Sequence, residues 1–266
     1  MREWLALVRA SWQTESSYRL NMALSVISLA LVVVPLYFVS NALQPVMAST
    51  ISSQSAEYFA FTLVGALTFS LAAASLSALP TALGSAIGRG TLEAFLATPT
   101  HPGLLFAGMS GYTILWALLR GLVLLLAGMA LGVHIALANA FTSLAILALL
   151  LLAYAGIGMV AAAMLLCFRT TGPLLSATLT VSTFFGGVYY PTHVIPTWLQ
   201  KVSSVVPMTY GLRALRQSAL RGASFGAVAD DAARLFGETC LLVVFGSICL
   251  AAALRYARRT GTLSHY

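Results

Sequence analysis

Gly222-Ala223-Ser224-Phe225-Gly226 matches the nucleophile-elbow spacing G-x-S-x-G, the pattern with which a strained strand-to-helix turn lifts a serine toward a histidine and an oxyanion hole. No histidine is visibly placed to serve Ser224, and a loop of small residues is the better account. His101, His134, His193 and His265 have no metal-ligand spacing with each other or with acids, so no metal site is expected. Nucleotide binding through a P-loop needs a Gly-Lys pair whose lysine reaches the phosphates, but the sole lysine, Lys201, follows Gln200. Cys167, Cys240 and Cys249 lack ligand spacing too and are expected to be buried, inert thiols. The residues that could do chemistry are too scattered for an enzyme.

The elements that hold them explain why. The sequence is 59% hydrophobic and 8% charged, against roughly 25% charged residues in a soluble domain. This composition predicts an all-α integral membrane protein. Six apolar runs reach or approach the roughly 20 residues needed to cross a bilayer, at about 20–41, 58–83, 104–133, 139–167, 174–190 and 238–256. Glu3, Arg9, Glu15 and Arg19 precede a first run too long for a signal peptide, so the N-terminus is expected to be retained. Trp4, Leu5, Val8 and Trp12 recur at helical spacing, which predicts an interface helix over 1–18.

The net charge of +7 includes no basic cluster interleaved with aromatics outside the apolar runs, which argues against nucleic acid. With six spans both termini share a side, and Arg2, Arg9, Arg19, Arg89, Arg169, Arg255, Arg258 and Arg259 all fall there. The positive-inside rule then places both termini in the cytoplasm. Glu57 and Glu238 lie at the outer ends of runs and Glu93 in a cytoplasmic connector, so proton-coupled transport has no evident carrier. Arg120 falls inside the third run. It reads either as an arginine snorkelling to an interface or as a charge paired with a polar partner or a substrate anion. Gly84 and Gly88, like Gly128 and Gly132, have the small-xxx-small spacing that lets helices approach within a bundle.

Two segments between the runs are unusual. Gly88-Arg89-Gly90-Thr91-Leu92-Glu93-Ala94-Phe95-Leu96-Ala97-Thr98-Pro99 predicts a short cytoplasmic helix, with Thr91 as N-cap, Glu93 in the first turn and Pro99 as stop. Leu92, Phe95 and Leu96 form its apolar face. The second segment follows the fifth run, which contains Gly186 and Gly187 and stops at Pro191. Apolar residues between Pro196 and Pro207 are too few to span, which predicts a helix that dips into the membrane and returns or lies in its outer interface. Beyond it, Arg213, Arg216 and Arg221 are expected to face outer-leaflet head groups from an interfacial helix. Residues 191–221 are thus expected to form re-entrant and interfacial helices.

The stretch Gly90–Pro99 and the stretch "FFGGVYYPTHVIPTWLQKVSSVVPMTYGLRALR" at 184–216, with its turn Pro207, Thr209, Tyr210 and Arg216, resemble the membrane subunit of ABC type-2 exporters. The resemblance covers essentially all of 1–266, read as a single transmembrane domain. It implies a non-catalytic permease in the bacterial cytoplasmic membrane, built as a homodimer with two ABC ATPase subunits. No cofactor is bound by this chain; ATP and Mg are held by the ATPase. Arg89, Thr91, Leu92, Glu93, Phe95 and Leu96 of the segment at 88–99 become the ATPase-coupling residues, while Phe184, Phe185, Tyr189 and Tyr190 become the outer gate. The implied substrate is amphipathic: a lipid, glycolipid, polysaccharide or drug. The rival readings are a self-powered transporter or channel, and an intramembrane serine hydrolase using Ser224.

Overall fold

The computed structural model describes residues 19–91, 102–136 and 139–260. The expected interface helix at 1–18 and the coupling residues Leu92, Glu93, Phe95 and Leu96 lie outside the described residues.

Eight α-helices follow one another: α1 (Arg19–Ile51), α2 (Tyr58–Gly88), α3 (Pro102–Ala130), α4 (Ala140–Phe168), α5 (Gly172–Phe185), α6 (Thr197–Ser203), α7 (Pro207–Arg221) and α8 (Ala229–Thr260). Short 3-10 turns at Thr192–Val194 and Phe225–Val228 complete the described chain. Among the described residues five stretches are long and apolar enough to cross a membrane: Leu31–Ile51, Tyr58–Gly88, Gly108–Ala130, Ala140–Phe168 and Phe225–Ala257. The run expected at 174–190 is helical only to Phe185, because Gly186 closes the last turn and Gly187 takes a φ of 76°. Its 14 residues span about 21 Å, short of the roughly 30 Å of hydrocarbon.

α2 and α4 form the centre, with α1 and α3 on one flank and α8 on the other; α7 lies across one end of α2, α4 and α8. Apolar side chains from α2, α4 and α7, among them Leu76, Leu150, Tyr154, Met208 and Leu212, meet in the main core. Glycines bring the backbones together where helices cross. A Cβ on Gly156 would stand 2.7 Å from the Leu242 carbonyl carbon, and one on Gly158 would stand 2.5 Å from the Leu76 carbonyl oxygen. The expected small-xxx-small seams are uneven: Gly84 has ordinary space against Leu165 and nothing lies within 4 Å of Gly88 or Gly132, but a Cβ on Gly128 would clash with Leu63, so α3 comes close to α2 there.

Two sequence expectations are corrected here. Arg216 of the helix 207–221 does not face outward with Arg213 and Arg221: it is buried in the core with Met208, Leu212, Ala214 and Leu215. The thiols are not all buried either, since Cys240 is exposed on α8 and Cys167 and Cys249 are partly so; all three are unpaired by disulfides.

Candidate functional site

The expected site residues that are described gather near the two ends of α2. At its Gly88 end α2 stops in a Schellman arrangement. Gly90 has a φ of 67°, its N–H donates to the Ile87 carbonyl at 2.9 Å, and the Thr91 N–H donates to the Ala86 carbonyl at 3.0 Å. The Thr91 hydroxyl also donates to Ala86 at 3.3 Å, so Thr91 first terminates α2; its lone pairs remain for the residues that follow. Arg89 folds back onto Ser85, donating to its carbonyl and hydroxyl at 3.2 Å each, and is exposed. Arg89 and Thr91 are therefore carried by the last turn of α2.

Near the Tyr58 end of α2, α5 breaks and the chain turns through Gly186–Tyr190. Val188 is fully buried. The bonded carbonyls from Phe185 to Tyr189 accept from α2, α6 and α7. The Phe185 carbonyl accepts from Ser203 Oγ at 2.7 Å and Thr209 Oγ1 at 3.2 Å. The Tyr189 carbonyl accepts from the Tyr58 hydroxyl at 2.9 Å. Those of Gly187 and Val188 accept from Arg216 at 2.8 and 2.7 Å. The four expected gate aromatics are brought to this one turn, but not to one surface. Phe184 and Tyr189 are exposed at 56% and 41%, Phe185 packs against the main core, and the Tyr190 hydroxyl bonds back to the Phe184 carbonyl.

Arg216 is the residue the sequence reading misplaced. It is 1% exposed and the largest fully buried side chain. Besides Gly187 and Val188 it donates to the Phe61 carbonyl at 3.2 Å and to Gln54 Oε1 at 3.4 Å, and its Cζ stands 3.4 Å from the Phe61 ring centroid. The signal was present: Met208, Leu212, Leu215 and Arg216 share the i, i+4, i+7, i+8 spacing of one helix face. The other connector arginines are surface groups of different kinds. Arg213 pairs with Asp231 at the start of α8, and Arg221 donates to the Ser53 carbonyl at 3.0 Å.

Arg120 is exposed on α3. Ser224 caps the 3-10 turn at Phe225–Val228, between two helices, without the strand that an elbow requires. Among the described residues no three His, Cys, Asp or Glu side chains converge on a metal-sized site. Glu238 is not at a helix end as expected, because α8 begins at Ala229, two turns earlier. Its Oε2 is buried with no hydrogen-bond partner among the described residues. An unpartnered buried carboxylate oxygen is costly, so Glu238→Gln is expected to stabilise the detergent-solubilised chain by about 1 kcal/mol, read as a higher melting temperature.

The family model for ABC-2 type transporters matches residues 2–220. The chain belongs to the ABC-2 type transporter family. It is thus a multi-pass membrane protein and an ABC permease, of a family whose members normally work with an ABC ATPase. No curated protein matches the chain in sequence.

Proposed function

We propose that this ABC-2 permease is the membrane half of an ATP-driven exporter in a bacterial cytoplasmic membrane. Residues 1–266 form one transmembrane domain with both termini cytoplasmic, and two copies assemble with two ATPase subunits that hold ATP and Mg. The observation that carries the reading is the state of α5: of its described side chains only Ser182 is buried. A short apolar helix this exposed, ending in a turn with Phe184 and Tyr189 outward, needs a second surface. A second copy supplies it, and the route for substrate then runs between the two chains. α5 with its turn completes the sixth crossing, and the stretch at 191–206 dips into the outer leaflet.

In this reading the segment that follows α2, up to Pro99, docks on the ATPase through Leu92, Glu93, Phe95 and Leu96, and moves with it when ATP closes the ATPase pair. Arg89 and Thr91 tie that motion to α2. Transmission is rigid-body displacement of packed helices. The substrate is amphipathic and moves from the inner leaflet or cytoplasm outward, past Phe184, Phe185, Tyr189 and Tyr190.

The Glu93→Ala/Phe95→Ala double variant is expected to insert and assemble normally. It should lose roughly tenfold in the ATPase stimulation that lipids or glycolipids produce in the reconstituted complex, equivalent to about 1.4 kcal/mol of coupling. Unchanged stimulation would remove the role assigned to this segment. Transport by the permease alone in vesicles without ATP would overturn the exporter reading in favour of a self-powered transporter.

A further inference from the structure

Arg216 carries a charge into the core without a carboxylate bonded to it. Four of its five N–H directions end on uncharged oxygens: the carbonyls of Phe61, Gly187 and Val188, and Gln54 Oε1. A buried guanidinium held by carbonyl dipoles is stable only while all of them stay in place, because each lost bond leaves a desolvated donor on a charged group. Those oxygens belong to three parts of the chain: α2, the α1–α2 connector and the break after α5.

The surroundings are shaped to the same joint. A Cβ on Gly65 of α2 would lie 2.2 Å from the Val188 oxygen and 2.5 Å from Arg216 Nη2, so only glycine lets α2 approach this close. Two turns back toward the start of α2, the Tyr58 hydroxyl adds its bond to the Tyr189 carbonyl. From Tyr58 the helix continues through Pro80 to Gly88, about 46 Å at 1.5 Å per residue, where Arg89 and Thr91 are bonded to its last turn. α5 itself rests on the main core through Leu175, Leu179 and Phe185 and meets the Tyr154 hydroxyl through Ser182, while the turn beyond it is tied to α2 through Arg216 and Tyr58.

We propose that Arg216 is the positioning residue that couples α2 to the broken end of α5, so that displacement of α2 at its 88–91 end is delivered to the turn bearing Phe184 and Tyr189. This rests on the exporter reading. Arg216 touches no substrate in it; it makes the α2 outer end and the α5 break move as one body.

The test uses the assembled complex with Cys167, Cys240 and Cys249 replaced by serine. A reporter cysteine is placed at Ser85, exposed near the Gly88 end of α2, or at Val194, exposed beyond the break. Maleimide reaction rates are compared with and without ATP–vanadate trapping. With Arg216 present, both reporters are expected to change rate by roughly threefold or more, the size of a modest population shift. Arg216→Lys keeps the charge but not the planar fork; the Val194 response should then vanish while the Ser85 response persists. A variant that had merely lost its fold would lose both. Tyr58→Phe, which removes one bond from the same joint, should reduce the Val194 response by about half and serves if Arg216→Lys does not assemble. Full Val194 responses in the assembled variants overturn the proposal and leave the exporter reading standing. A parent complex in which neither reporter responds overturns both.

Discussion

Gly156→Leu is expected to abolish accumulation of folded chain, at a cost of about 3 kcal/mol or more. The new side chain would begin with a Cβ 2.7 Å from the Leu242 carbonyl carbon, 2.8 Å from its oxygen and 2.9 Å from the Val243 nitrogen, all backbone atoms that no rotamer change can clear. Relief requires α8 to move away from α4. That movement would also lengthen the Thr239 Oγ1 bond to the Leu149 carbonyl, 3.2 Å in the native packing, and open the contact of Gly246 with the Gly156 oxygen. The partner experiment is Gly84→Ala, where the added methyl meets only Leu165 Cδ2 at 3.6 Å. It should change stability by no more than about 0.5 kcal/mol. Thermal unfolding of the two variants in detergent, followed by size-exclusion profile, separates the outcomes. Equal behaviour would mean that the α4–α8 approach is not what holds this end of the bundle.

The contrast between those glycines shows what a sequence of this kind reveals. Four of the long spans begin or end within a few residues of the hydropathic runs, because hydrocarbon solvation acts residue by residue and sums locally. Pairing of helices does not sum that way. Gly84 and Gly88 have the right spacing yet meet no more than an ordinary contact with Leu165, whereas Gly156 and Gly246, on helices far apart in sequence, meet backbone to backbone. The same limit hid Arg216. An arginine in a basic connector reads as a surface charge, and nothing local discloses that three carbonyls and Gln54 converge on it from α2, its connector and the α5 break. Only its i+4 relation to Leu212 gave the buried face away. The aromatics at 184–190 were legible as a cluster because they are near one another in sequence; their division into exposed Phe184 and Tyr189 and core-packed Phe185 was not, since Gly187 redirects the chain between them.

Arg120→Leu is expected to act in opposite directions on the chain and on the complex. In α3 the spanning stretch is Gly108–Ala130, so Arg120 sits about 18 Å along the axis from one end and about 15 Å from the other. It is exposed, among apolar neighbours Leu118, Leu119, Leu122 and Val123 that are exposed as well. A stretched arginine side chain covers only about half of that distance to an interface, so snorkelling does not free it. In lipid it costs about 2.5 to 3.5 kcal/mol at the helix centre, and leucine removes that cost. The isolated permease should therefore insert and withstand heat better with leucine. The assembled complex should respond less, by roughly tenfold, to vesicles of anionic phosphatidylglycerol while its response to zwitterionic phosphatidylcholine is unchanged, if the charge retained against such a cost serves an anionic group. Arg120→Lys should recover most of the anionic response, as a point charge suffices where no planar fork is engaged. Equal stimulation of the parent and leucine complexes by both lipids would return Arg120 to the status of a tolerated lipid-facing charge.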